Sequence, residues 1–146
     1  MSHRPAGHSK MEHSEDHRNF VALSRAILEP VEDGVTHPAE ELLAKFVRSI
    51  DRAFLVKWTF EPRTPTADVL RLLGRLDSVA KDSRFVLVRR GLESDALEVR
   101  DAAVQASESW SDPQLGELLR AHREPTAWLA DYAARVADDL LGGPRP

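Results

Sequence analysis

The sequence predicts an all-α protein, a right-handed α-solenoid of about four helical hairpins, each about 30 residues long, and three observations predict it. From Asn19 onward the apolar residues fall at helical spacings, with almost no alternation of period two. The apolar stripes return in register when the chain is shifted against itself by 30 residues. Residues suited to starting helices return at the same shift.

The clearest stripe is Val99, Ala103, Ala106 and Trp110, one face of an α-helix. A shift of 30 residues onward gives Leu129, Ala133, Val136 and Leu140; shifts of 30 and 60 backward give Val69, Leu73, Leu76 and Ala80, then Ala39, Leu43, Phe46 and Ile50. All are apolar. Helical periodicity explains each stripe alone, but a common phase across four requires a structural repeat. Thr36, Thr66 and Thr126 keep that phase, and Pro65-Thr66-Ala67 recurs as Pro125-Thr126-Ala127. Threonines there are expected to be N-caps, their hydroxyls accepting from orphan N–H groups of the first turn. In the third copy Asp95, with Glu98 three residues on, offers a capping-box-like substitute.

Taken in order, residues 1–18 are polar, hold four of the six histidines and predict a disordered tail, since their apolar surface is too small to offset ordering entropy. Helices are expected near 19–29, 38–50, 52–60, 66–80, 84–92, 95–110, 113–122 and 126–141. The first partner helix comes from Phe20 to Leu28, and the second from Leu55 and Trp58 before Pro62 and Pro65 break the chain. Phe85, Val88 and Leu92 precede the third copy; Leu115, Leu118 and His122 precede the fourth. Asp112-Pro113 forms a cap and N1 pair. Gly142-Gly143-Pro144 ends the last helix. The expected organisation is a tail over 1–18, one helical repeat domain over 19–141 and a C-terminal tail over 142–146.

The length of 146 residues suits one domain, and 42% hydrophobic residues suit a packed core. The absence of cysteine excludes disulfide frameworks, thiol chemistry and cysteine-ligated zinc, and it is compatible with a reducing, cytoplasmic setting. No stretch approaches 18 uncharged apolar residues and no signal-peptide h-region opens the chain, so no membrane partner is expected. The net charge of −4 conceals a polarity: residues 42–90 carry 11 Lys/Arg against 5 Asp/Glu, whereas residues 91–141 carry 4 against 11.

The stretch RGLESDALEVRDAAVQASESW, residues 90–110, resembles the HEAT repeat through Leu92, Val99-Arg100 and Ala102-Ala103, and the period is similar to that of short bacterial repeats of the phycobilisome-lyase HEAT-like type. The family usually carries an aspartate six residues before that arginine, the source of an Asp–Arg ladder between repeats; Ser94 stands there in this chain. The resemblance implies stacked hairpins and a tendency to bind partners, not lyase activity.

Chemistry-bearing patterns are sparse. His13 and His17 stand at i, i+4 beside Asp16, with His3 and His8 upstream, but the spacing is irregular for a metal site and solvated tail histidines are the expectation. The His-Glu pair of HEAT-type metal hydroxylases does not occur. Neither do a nucleophile elbow, a phosphate loop or a dinucleotide fingerprint, so no catalytic residue, no metal and no cofactor is expected and the chain is not read as an enzyme. Glu108 and Asp138-Asp139 read as solubilising charges, and Trp58, Trp110 and Trp128 as core tryptophans.

The expected function is therefore a non-enzymatic protein–protein interaction module, an adaptor, an immunity-type inhibitor or an assembly factor, binding a protein partner on its concave face. The alternative is a nucleic-acid-associated protein that uses the basic middle of the chain, a reading opposed by the acidic second half. In HEAT-like stacks the second helices line the concave side. The shift of 30 then gives two sets of rungs, Lys45, Arg75, Gln105 and Arg135, and one turn earlier Glu41, Arg71, Asp101 and Asp131. The partner-binding candidates are Arg71, Arg75, Lys45, Gln105, Arg135 and Asp101. Arg71 and Arg75 form a like-charge i, i+4 pair, which points either to an acidic ligand or to a salt bridge with Asp101 across the repeat junction.

Overall fold

A computed structural model describes residues 6–142, with side chains from Glu15 onward. Among the described residues the chain forms eight helices and no strand: α1 (Ala6–Ala26), α2 (Glu40–Ser49), α3 (Arg52–Thr59), α4 (Thr66–Gly74), α5 (Lys81–Leu92), α6 (Leu97–Trp110), α7 (Pro113–Ala121) and α8 (Ala127–Leu140). Neighbours in sequence pair as α1 with α2, α3 with α4, α5 with α6 and α7 with α8. The even-numbered helices also pack in succession, α2 on α4, α4 on α6 and α6 on α8, and α3, α5 and α7 do the same.

The expected stripes supply the core. Of their sixteen positions only Ala80 is exposed, and a continuous cluster runs from Leu23 in α1 to Ala137 in α8. Each fully buried leucine in it, such as Leu43, Leu73 or Leu129, contributes about 2 kcal/mol relative to an exposed one. Close approach depends on small residues. A Cβ added at Gly74 of α4 would lie 2.9 Å from Ala106 Cα in α6, and one at Gly91 of α5 would lie 2.8 Å from Ala103 Cβ. No described helix is long and apolar enough to cross a membrane.

Several expectations need correction. Helix α1 begins at Ala6, within the span expected to form the tail, and residues 15–18 are exposed. They bury nothing, and their helix propagates from the turns packed through Leu23 and Ile27, where adding a residue costs far less than nucleating a new helix. Residues 1–5 and 143–146 lie outside the described residues. Helix α4 stops at Gly74, well short of residue 80, and Val79 takes the core place expected of Ala80. The turn is tied by Arg84, whose guanidinium donates to Val79 O at 2.7 Å and Asp77 O at 3.0 Å.

The threonine caps also differ. Thr126 occupies the N-cap of α8 without a side-chain cap bond. Thr66 lies just inside α4, and its hydroxyl donates to Thr59 O at 2.7 Å, serving an orphan carbonyl at the end of α3. The repeated polar contact sits two residues earlier: Ser94 Oγ accepts from Ala96 N at 3.1 Å and Glu124 Oε2 from Thr126 N at 3.0 Å, at equivalent places in successive copies. Ala96, with no side-chain bond, caps α6 in place of the expected Asp95 and Glu98 box. Asp112 and Pro113 behave as expected, Asp112 accepting from Gln114 N at 3.1 Å.

Trp58 and Trp110 are core residues, and the Trp110 indole donates to Leu76 O at 3.1 Å. Trp128 is not: it is 53% exposed, because it stands one position off the stripe that begins at Leu129.

Candidate functional site

The rung positions behave differently at successive junctions. Between α4 and α6 they are closed by ionic and polar contacts. Arg71 Nε donates to Gln105 Oε1 at 3.1 Å and Nη1 to Asp68 Oδ1 at 3.0 Å, while Nη2 lies 3.8 Å from Asp101 Oδ2. Arg75 turns the other way, donating to Glu40 Oε2 at 2.9 Å and to the carbonyls of Val35 at 2.8 Å and Glu32 at 2.7 Å. Both charges of the i, i+4 pair are thus engaged within the chain. Burial would raise the Glu40 carboxyl, but the His37 N–H and Arg75 outweigh it and hold the group below its ordinary value.

These contacts position the long connection between α1 and α2 alongside α4. His37, buried near its end, lies with Nδ1 3.0 Å from Ala39 N and Nε2 2.8 Å from Glu29 O. The connection thereby brings Asp33 to the rungs of α6 and α8.

Between α6 and α8 the rungs stay open and form a cleft of about 480 Å³. Asp101, Gln105 and Glu108 line it from α6, Trp128, Tyr132 and Arg135 from α8, and Asp33 from the connection. Tyr132 Oη donates to Glu108 Oε1 at 2.8 Å; burial and that carboxylate push the phenol well above its usual range, so it stays a donor. Arg135 lies over the Tyr132 ring, 5.2 Å from its centroid. Gln105 Nε2 donates to Asp101 Oδ2 at 2.9 Å, which orients Asp101 beside Arg71. Three carboxylates face one native cation and an exposed indole, a lining suited to binding a cationic group.

Among the described residues, the most enclosed ion pair joins α6 to the α7–α8 connection. Arg100 Nε donates to Glu124 Oε1 at 2.9 Å and Nη1 to the carbonyls of Ser94 and Asp95, both at 3.0 Å. His122 Nε2 lies 3.0 Å from the same Glu124 oxygen. The side chains of Arg100 and Glu124 are 11% and 2% exposed. Burial raises the Glu124 carboxyl, but the bonds from Arg100, His122 and Thr126 overcome it and bring it from 4.5 to about 2. Ser94 is thus not the acidic partner of Arg100; the acid stands at the equivalent position of the next copy, Glu124.

Of the six candidates, Asp101, Gln105 and Arg135 line one cleft and Arg71 adjoins it. Arg75 is committed to α2 and the connection. Lys45 lies apart, on a groove of about 410 Å³ beside Phe20, Phe46 and Phe54. There Phe46 meets Trp58 edge-on at 4.8 Å and Phe54 at 6.1 Å. The separation follows from α2, which presents Glu40 to Arg75 and leaves Lys45 on its exposed flank. Among the described residues no group of three or more His, Cys, Asp or Glu is placed to hold a metal ion.

Compared with known proteins, the chain matches no family model, no curated protein and no solved structure.

Sequence reasoning missed Trp128, Tyr132, Glu108 and Asp33. A signal for Trp128 existed: the equivalent residues of the other copies are Pro38, Asp68 and Glu98. A tryptophan where three copies avoid a large apolar side chain cannot be serving the shared core. Asp33 had no such signal, because its place depends on how the connection docks.

Proposed function

We propose that the chain is a HEAT-like, right-handed α-solenoid of four hairpins that acts as a non-enzymatic protein–protein interaction module in the cytoplasm, with its partner seated on the concave face formed by the even-numbered helices. The successive packing of α2, α4, α6 and α8 supports the solenoid, as do ion pairs between residues 30 positions apart, Arg52 with Asp82 at 3.0 Å and Arg71 with Asp101 at 3.8 Å. Stacked copies related by a constant shift place equivalent residues side by side. The interaction role rests on one observation: the rungs of the last two copies leave a cleft open beside an exposed tryptophan, and tryptophans are among the side chains that most often anchor protein interfaces.

The nucleic-acid reading has weaker support. The basic middle spends much of its charge internally, Arg71 toward α6, Arg75 toward α2, Arg84 on carbonyls and Arg90 over the Phe60 ring at 4.7 Å. The cleft itself is acidic, which opposes phosphate.

The test is capture of a protein from native extract, repeated with that protein purified, against the wild type and a Ser109→Trp variant. Ser109 is exposed and lines the cleft, so an indole there fills it without disturbing the core. Binding to the wild type and loss with Ser109→Trp at an unchanged melting temperature is expected. Equal binding to both chains would remove the groove from the reading.

A further inference from the structure

The cleft between α6 and α8 has features that a solubilising acidic face does not need. Trp128 stays half exposed on its wall although burial would reward it, and no other copy carries an aromatic residue at that position. The three carboxylates of the cleft come from two separate segments, Asp33 from the α1–α2 connection and Asp101 and Glu108 from the two ends of the α6 rung face, with α8 opposite. Glu108 is oriented by the Tyr132 hydroxyl, which spends one of its two oxygens. Asp33 has no hydrogen-bond or ion-pair partner among the described residues. The cleft also displays the contact it is suited to make: Arg135 sets its guanidinium over the Tyr132 ring at 5.2 Å, beside carboxylates.

From this complementarity of charge and shape we infer that the cleft receives an arginine side chain presented by a segment of a different protein, its guanidinium stacked on Trp128 and paired with Glu108 and Asp33. The inference rests on the reading of the chain as an interaction module and names the chemistry of the contact. Arginine suits the lining better than lysine because a planar guanidinium combines stacking on an indole with forked hydrogen bonds to a carboxylate, and it is more weakly hydrated than an ammonium. A volume of about 480 Å³ accommodates that side chain with some of its neighbours.

The experiment uses the full chain with a capped peptide of alternating glycine and arginine, and the same peptide with citrulline or lysine in place of arginine. The readout is the indole N–H resonance of Trp128, assigned with Trp128→Phe. Saturable movement of that resonance by the arginine peptide is expected, with none by the citrulline peptide and weaker movement by the lysine peptide. The double change Glu108→Gln with Asp33→Asn should weaken arginine-peptide binding about tenfold or more, and added salt should weaken the wild type. Equal binding of the citrulline peptide would overturn the proposal, as would arginine-peptide binding that leaves Trp128 unmoved, or no binding at all. Concentration-dependent self-association abolished by Trp128→Ala would overturn it in favour of a second copy, and binding of a capped oligoglutamate would overturn it in favour of an anionic occupant. A partner protein that binds the wild type but not Ser109→Trp, while the arginine peptide fails, would leave the interaction module standing and remove only the arginine.

Discussion

The junctions α4–α6 and α6–α8 are built from the same register and end differently. In the first, Gly74 lets α4 approach Ala106 of α6 until a single added methyl would collide with backbone, and Arg71 bridges Asp101 and Gln105 across the gap. In the second, the equivalents of Gly74 and Ala106 are Val104 and Val136, both buried. Helix α6 packs less extensively on α8 than on α4, in keeping with bulkier side chains at these equivalent positions, since interaxial distance follows the side chains at the contact. The rung positions then carry Asp101 and Gln105 against Asp131 and Arg135, with Trp128 and Tyr132 alongside, and a cleft remains. Positions related by the same shift of 30 thus meet in a closed contact at one junction and in an open one at the other.

The largest expected effect tests what holds the open junction together. Glu124→Ala leaves the nearly buried Arg100 guanidinium without its acid and should cost about 3 kcal/mol, read as a lowered urea midpoint near neutral pH. Its pH dependence has a defined sign. The carboxyl is lowered in the folded state from 4.5 to about 2, so its contribution is complete above pH 4.5 and is lost as pH falls toward about 2. Glu124→Gln should therefore remove part of the acid destabilisation in that window; identical acid limbs for variant and wild type would show that the pair does not couple to folding.

Closure of the first junction is attacked by Gly74→Val, which installs there the residue found at position 104. Overpacking of about 1–3 kcal/mol is expected, with backbone movement detectable in the amide spectra of both α4 and α6. A neutral effect would mean that glycine does not set the spacing. The double change Arg71→Glu with Arg75→Glu should lower stability by about 2 kcal/mol, because both side chains are partly buried and each accounts for several bonds. An unchanged melting temperature would instead free these arginines for a ligand. The smallest effects compare the threonines: Thr66→Ala loses the bond to Thr59 O and should cost about 1 kcal/mol, while Thr126→Ala, which loses no cap bond, should stay within about 0.5 kcal/mol. Equal losses at both sites would restore the threonine-cap reading.

Eight helices and their shared phase were legible in the sequence because both follow from local causes. Apolar spacing at 3.6 residues per turn decides which face is buried, and proline and glycine decide where a turn is possible. That reasoning placed Leu43, Leu73, Ala103 and Ala133 in one core without any contact being known. It failed where a second element changes the outcome. Helix α4 ends at Gly74, not near residue 80, because Val79 and the Arg84 bonds offer the chain a better-packed turn. Ser94 gave no sign of an acidic partner for Arg100, since Glu124 lies 24 residues on and meets it only through the packing of the α7–α8 connection on α6. Arg71 and Arg75, adjacent on one helix face, part toward α6 and toward α2, a choice made by Asp101, Gln105 and Glu40. The cleft depends most on tertiary structure: Asp33 reaches it only because Arg75 and His37 hold the connection in place. Periodicity along one chain determines what each helix buries; distances between helices come from the volumes they press together, which periodicity does not contain.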